Sequence, residues 1–354
     1  MTIRVEREHD PGDWDDFIRQ FPSSGPFHAR AWADCFAGPR MTPLYLRLLS
    51  DEQPIGAIAG AVIEPRIAAL RGIAREAFFF SGPALARMDS ALIGESFHSL
   101  CLYAQEQGFA SLVSSGRDYP YQYECGRTKL YLHTIGEYIV DMRGSWDLVR
   151  SRMRRSIAEQ ARKAERSGLT FHVEQDASLL AQLQRLLENT QQRRQTKSGK
   201  LFSPFYLPHL AEEPLRRLSE SSLARFFVAR RGIEPLCVLL AFAFGRRAYA
   251  LMIGCNDEGY RLRAPALVWF NAMRSLQSAG TEWLNLAGGG PQSAHVFSKI
   301  SLGAERHACT GSVSPYLKGP VRNMLFQTHR WVDNLLESAP LRRERRSSAA
   351  RTAG

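Results

Sequence analysis

Apolar positions in the second half of the chain change period in a definite order. Leu169 to Gln175 alternates and predicts a strand. From Ala177 to about Arg193, Leu179, Leu183, Leu186 and Leu187 recur at helical spacing, and a second helix is predicted from about Pro204 to Leu218. Three strands follow in close succession, Phe226 to Arg230, Pro235 to Phe244 and Arg247 to Gly254, with turns at Gly232 and Gly245. A long helix from about Arg263 to Ala279 places Ala266, Phe270, Met273 and Leu276 on one face, and Gly280 is its C-cap. A strand from Glu282 to Leu286, a glycine-rich turn, a helix around Ser293 to Leu302 and a strand near Thr310 to Val313 complete the order β-α-α-β-β-β-α-β-α-β.

The first half reads in the same order. Ile3 to Arg7 predicts a strand, and Asp13 to Phe21 and Ala29 to Phe36 predict helices. Leu44 to Leu49, Ile55 to Ile63 and Ala77 to Phe80 predict strands, and a helix from Ser90 to Gln107 stops at Gly108 before a strand at Ser111 to Ser115. A loop rich in Tyr, Gly and Arg, from Arg117 to Lys129, leads to Tyr131. Residue identities do not repeat, so the repeat is one of architecture. The predicted organisation is two α/β units with mixed sheets, 1–136 and 137–320, joined near Gly136. A terminal helix is predicted within 321–339, and the Arg-rich tail 340–354 reads as disordered.

Between the units, Ser145 to Gly168 predicts a basic linker helix over 146–167. Trp146, Met153, Ile157, Ala161 and Ala164 share one face; Arg152, Arg155, Arg162, Lys163 and Arg166 lie opposite, interrupted by Glu159 and Glu165. A solvated helix face and a phosphate-contacting face both account for this stripe.

Composition narrows the class. Hydrophobic residues are 44% and charged residues 23%, as in a globular protein with real cores. Forty-six Lys and Arg against 35 Asp and Glu give a net charge of +11, which calls for an anionic partner. Six cysteines without a CxxC pair exclude a disulfide scaffold and the usual zinc-finger spacings. The longest apolar run, Leu236 to Phe244, is far too short for a bilayer, and the first dozen residues hold no apolar signal core. A soluble, cytoplasmic protein is expected, with no transmembrane segment.

The second-half order resembles that of the GNAT acyltransferases, and local strings sharpen the resemblance. The stretch RSRMRRSIAEQARKAERSG after Ser145-Trp146 is similar to the start of the second domain in Fem-type peptidoglycan aminoacyltransferases. TEWLNLAGGGPQSAHVFSKISLGAE resembles that family's closing motif, and FHARAWADCF and FFFSGPAL resemble its first-domain signatures. The resemblance covers roughly residues 10–315. It implies two tandem GNAT-like domains with a cleft between them, and transfer of an acyl group to an amine without metal. The related group includes exopolysaccharide-associated acyltransferases, so both peptidoglycan and polysaccharide precursors are implied acceptors.

Amide formation from an ester or thioester needs a neutral amine, a positioned carbonyl and positive charge at the developing oxyanion. No covalent enzyme intermediate is required. Lys299, in Phe297-Ser298-Lys299-Ile300, matches the family's motif Lys, which the resemblance assigns to the oxyanion or the acceptor. An ordinary surface Lys on a helix is the competing account. Gly289 and Gly290, with Gly288 and Pro291, offer backbone N–H groups to a phosphate or carboxylate, or form only a flexible turn. Arg193 or Arg194 is the implied contact to an acceptor's phosphates, with Arg155 of the basic stripe a further candidate; a helix C-terminus also favours cations by itself.

The donor loop aligns with Arg261-Leu262-Arg263-Ala264-Pro265-Ala266. Arg261, Arg263 and Ala264 are the donor-binding candidates, but Ala replaces a central Gly and Pro265 removes an N–H. Proline in a first helical turn is also ordinary. The eroded loop leans away from a standard coenzyme A site and toward an aminoacyl-tRNA donor, with acyl-CoA the alternative and no tightly bound cofactor. Asp257, Glu258, Tyr260 and His295 are candidates for the general base. Tyr119, Tyr121 and Tyr123 beside Arg117 form either a sugar-stacking loop or a packed aromatic cluster. No HExxH spacing occurs, and no metal is expected.

The leading expectation is an acyl- or aminoacyl-transferase acting on an amine of a phosphorylated cell-envelope precursor, with tRNA as a possible partner and peripheral membrane contact open. An acetyl-CoA-dependent N-acetyltransferase is the variant within the class. The rival class is a non-catalytic nucleic-acid-binding or interaction module, which the charge alone allows. No helix-turn-helix, RRM or zinc-knuckle signature supports it, and DNA is not expected as a partner.

Overall fold

In the computed structural model, residues 2–124, 130–198, 207–288, 294–315, 324 and 328 are described. The first half contains β1 (Arg4–Arg7), α1 (Trp14–Arg19), α2 (Arg30–Asp34), β2 (Met41–Ser50), β3 (Gln53–Ile63), β4 (Glu76–Phe79), β5 (Ala84–Leu85), α3 (Ser90–Glu106) and β6 (Ser111–Ser114). The second begins with β7 (Tyr131–Asp141), α4 (Trp146–Arg152), α5 (Arg155–Arg166), β8 (Thr170–Glu174), α6 (Leu179–Ser198) and α7 (Glu212–Ser219). It continues with β9 (Ala224–Arg231), β10 (Glu234–Phe244), β11 (Arg247–Cys255), α8 (Asp257–Arg261), α9 (Ala264–Ser278), β12 (Trp283–Gly288), α10 (Ala294–Ser301) and β13 (Glu305–Pro315). The helix expected within 321–339 and the tail 340–354 lie outside the described residues, apart from the single positions 324 and 328.

Local chemistry explains the boundaries. Asp89 caps α3 by accepting from the Leu92 N–H at 2.9 Å, and Gly108 follows the helix with φ +69°. Pro265 opens α9, where its missing N–H costs nothing, and Gly280 follows that helix with φ +90°. Gly232 and Gly245 take positive φ at the two hairpin turns that link β9, β10 and β11.

The strands form one mixed sheet in the order β1-β2-β3-β4-β6-β13-β7-β12-β11-β10-β9-β8, with β5 beside β3. Each half contributes the same topology: four antiparallel strands ending in one parallel pair. In the first half that pair is β4 with β6, around α3; in the second it is β11 with β12, around α9. β7 and β13 fill the seam, with β13 pairing β6 on one side and β7 on the other. The expected junction at Gly136 falls inside β7.

One expected element divides in two. The basic helix over 146–167 is broken by extended backbone at Met153 and Arg154, giving α4 and α5. Its apolar face nevertheless follows the predicted pattern: Met153, Ala161 and Ala164 are buried, with Trp146 and Ile157 packed beside them. The last strand is also longer than its apolar residues indicated, because β13 gains pairing partners on both edges.

A central core draws on both halves. Phe27 lies 4.8 Å from Tyr249 and Trp32 5.5 Å from Phe242, ring centre to ring centre. The leucines of α6 join the same cluster. A second core lies under α5 and α9, and a third under α3. Each buried aromatic ring brings a large apolar area out of water, so the two halves are held by packing as well as by the shared sheet.

At the seam this apolar packing gives way to buried charge. Arg247 on β11 donates a two-pronged pair of bonds to Asp118, at 2.7 and 2.8 Å, and both side chains are nearly inaccessible. Glu137 on β7, fully buried, accepts from Arg117 Nη1 and the Tyr249 hydroxyl at 3.2 Å each. Its other oxygen accepts from the Asp118 backbone N–H at 2.7 Å. Asn285 on β12 bridges the two acids, donating to Asp118 at 2.9 Å and to Glu137 at 2.8 Å. Two guanidinium groups thus meet two carboxylates, which are bonded well enough to be tolerated without water.

Breaking one member should therefore be costly. Arg247→Met is expected to lose about 3–5 kcal/mol in urea unfolding, because Asp118 keeps a buried charge without its cation. Arg247→Lys, which keeps the charge and loses the fork, should lose less.

Candidate functional site

The parallel strands β11 and β12 are paired only at Arg247–Trp283, Ala248–Leu284 and Tyr249–Asn285. Both continue past that point, β11 to Cys255 and β12 to Gly288, without further pairing between them. In the first half, β4 and β6 pair over the full length of both strands. The second half therefore opens where the first is closed, and the buried charge network sits at the point of parting.

Past Asn285, β12 bends. Its register with β7 shifts between Asn285 and Gly288, and Ala287 takes φ +61°, a left-handed conformation that is strained for a residue with a Cβ. Two side chains hold the bend through three hydrogen bonds. Asn285 Oδ1 accepts from the Ala287 N–H at 2.7 Å, and Lys299 Nζ donates to the carbonyls of Ala287 and Gly288 at 2.9 and 2.7 Å. Gly288 is needed for the approach to β7, since a Cβ there would lie 3.0 Å from the Gly136 carbonyl oxygen.

Lys299 projects inward from α10, while Phe297 and Ile300 of the same helix remain exposed. Burial lowers its ammonium to about 8, with Glu137 acting weakly in the opposite sense. The group lies 5.5 Å from the centre of the Tyr138 ring. Two of its three N–H bonds are spent on the bend, which leaves one for an incoming oxygen.

The other expected residues are scattered. At the start of α9, Arg263 takes φ +65° as the N-cap, and its carbonyl accepts from Ala266 at 3.1 Å and Leu267 at 3.4 Å. Pro265 has no N–H, and Ala264 is buried. This turn therefore offers few backbone donors to a diphosphate. Arg261 is largely exposed and pairs with Glu258 at 3.4 Å; Glu258 also pairs with Arg231. Glu258 is thus engaged in surface ion pairs. Arg155 is 93% exposed and pairs with Glu159. Arg193 and Arg194 lie on α6, with their side chains outside the described residues. The same holds for His295, and Gly289 and Gly290 fall outside them entirely.

Tyr119 and Tyr123 form a packed aromatic cluster: Tyr123 stacks on Phe97 at 4.5 Å, and Tyr119 meets Tyr121 edge-on at 5.1 Å. Tyr119 and Tyr123 are buried, as in the packed-cluster reading, while Tyr121 is half-buried. Sequence reasoning passed over Asp118, Glu137, Arg247 and Asn285. The available signals were a Glu within the apolar run TIGEYIV and an Asn within WLNLAG, each a polar residue on a buried strand.

Comparison with known proteins agrees with this geometry. Residues 151–293 match the model of the acetyltransferase (GNAT) domain. Among solved structures, the crystal structure of FemX is similar over 91% of this chain and 99% of its own, at 13% identity and a TM-score of 0.67. The structure of L-PGS from Bacillus licheniformis is similar over 92% and 97%, at 12% identity and a TM-score of 0.49. None of the curated protein sequences matches. The match to the GNAT domain model falls within the opened second half, between α4 and the residues just after β12. Over nearly its whole length the chain has the FemX fold, and the topology of its first half repeats that of the matched second half.

Asn285→Asp tests the dependence of the bend on the charge network. A third carboxylate beside Asp118 and Glu137 raises the pKa of the group in the folded state. Between the unfolded value and that raised value, the folded state binds more protons, so stability falls as pH rises. The expected deficit in thermal unfolding is largest near neutral pH and shrinks as pH is lowered toward 5.

Proposed function

We propose that the protein forms an amide by transferring an acyl or aminoacyl group to an amine of a phosphorylated cell-envelope precursor, of peptidoglycan or polysaccharide. The observation that carries this reading is Lys299, a half-buried ammonium fixed at the bend of β12 where β11 and β12 part. A donor carbonyl entering that opening meets the remaining N–H of Lys299. The acceptor amine attacks, its lone pair forming the C–N bond, and Lys299 stabilises the oxyanion. Collapse expels the donor alcohol or thiol, which takes up the proton lost by the amine.

In this reading residues 1–136 form a supporting unit and 137–320 the catalytic one, in the cytoplasm. The likeness to FemX over both units supports it, as does the basic surface of α4 and α5. Arg193, Arg194 and Arg155 would take phosphates, and Gly289 and Gly290 would offer N–H groups near the acceptor. Aminoacyl-tRNA is favoured as donor, because the turn at Arg263, Ala264 and Pro265 is poor in free N–H groups. Arg261 would then serve a coenzyme A donor only in the alternative, an acetyl-CoA-dependent N-acetyltransferase.

Two measurements test the reading. Calorimetry with acetyl-CoA and with charged and uncharged tRNA should give salt-sensitive binding that prefers charged tRNA. A saturable coenzyme A signal lost in Arg261→Ala would select the alternative. In turnover, Lys299→Ala should lower kcat at least about tenfold. Because the ammonium is lowered to about 8, wild-type turnover should fall as pH rises above about 8. In Lys299→Arg that alkaline decline should disappear, since a guanidinium keeps its proton.

A further inference from the structure

β7 and β13 form an antiparallel ribbon whose two faces have different chemistry. On one face lies Glu137, within the buried network. On the other, Thr134, Gly136 and Tyr138 are paired with Thr310, Ala308 and Arg306. None of these six residues carries a carboxylate. Lys299 reaches this second face, over the Tyr138 ring.

Arg306 lies across Gly136. A Cβ added at residue 136 would fall 2.5, 2.6 and 2.7 Å from its Nη2, Nε and Cζ, so the guanidinium rests flat where only glycine leaves room. Arg306 is exposed and forms no ion pair with any described residue. A guanidinium seated on backbone, without a counter-charge among the described residues, keeps its donor fork for an outside anion. Its seat is two residues along β7 from Tyr138, about 7 Å by backbone rise, and Lys299 lies over the ring of that residue.

That spacing discriminates between donors. In an ester on a nucleotide's ribose, one sugar separates the reacting carbonyl from the nearest phosphate. In coenzyme A a whole pantetheine arm lies between thioester and diphosphate. With Lys299 at the carbonyl, only the first places a phosphate as close as Arg306. We propose that Arg306, seated on Gly136, binds the terminal-nucleotide phosphate of an aminoacyl-ester donor and thereby selects such donors over acyl-CoA. The proposal rests on the reading of Lys299 as the residue at the reacting carbonyl.

The test uses the full chain and two probes: 3′-amino-3′-deoxyadenosine acylated with alanine through a stable amide, with and without a 5′-phosphate. In calorimetry at fixed ionic strength, wild type should bind the phosphorylated compound at least tenfold more tightly. Arg306→Ala should abolish that preference and leave the affinity for the unphosphorylated compound unchanged. Gly136→Val, which displaces the guanidinium, should do the same, and Arg306→Lys should restore part of the preference. Circular dichroism and thermal unfolding establish that each variant is folded. A preference that persists in Arg306→Ala overturns the proposal, as does failure of wild type to bind either compound. The acyl-transfer reading fails separately. If phosphate preference depends on Arg306 while Lys299→Ala leaves kcat unchanged, the phosphate site stands and the role of Lys299 does not.

Discussion

The structure depends on how three charged side chains and one amide are kept dry at the seam between its halves. Asp118 follows the last strand of the first half, Glu137 lies on the first strand of the second, and Arg247 and Asn285 lie on the two strands about to separate. A buried carboxylate without a partner would cost several kcal/mol, so each member fixes the position of the others. His28 extends this constraint. Its Nε2 donates to the Gly82 carbonyl at 2.8 Å and its Nδ1 accepts from the Gly25 N–H at 3.1 Å. Burial favours the neutral ring, as this pattern of bonds requires. Gly25 is thereby held against Arg247, where a Cβ would lie 3.1 Å from the side chain.

From that network the site follows by short steps. Asn285 spends its amide nitrogen on the two acids and its oxygen on the Ala287 N–H, so one side chain couples the seam to the bend of β12. The bend turns two carbonyls toward Lys299, and those carbonyls orient an ammonium that burial makes easier to deprotonate. Strain at Ala287 is sustained because the neighbouring bonds over-determine its conformation. The same ribbon whose one face buries Glu137 presents Gly136 and Arg306 on the other, so the two faces of β7 carry different chemistry.

The two halves show how one topology is used in two ways. Both end in a parallel strand pair, but β4 and β6 remain paired to their ends whereas β11 and β12 part. The aromatic core shared by Phe27, Trp32, Phe242 and Tyr249 joins the closed half to the open one. In the proposed function the closed half has no transfer chemistry and acts as the rigid support of the open one.

Local pattern in the sequence determined the element order of both halves except β5 and β7, the turns at Gly232 and Gly245, the caps at Gly108 and Gly280, and the apolar face of α5. These are short-range properties: period, capping and φ preference are set within a few residues. Lys299 was legible through its motif, and the poverty of the α9 turn through Pro265. What only the tertiary structure decided was which polar residues meet. Asp118 and Arg247 are 129 residues apart and Asn285 and Asp118 are 167 apart, and no local pattern reports such pairings. The break at Met153 and the two-sided pairing of β13 belong to the same class. So does the seating of Arg306 on Gly136, because a glycine's vacant side can hold a guanidinium only once a second strand is laid beside it.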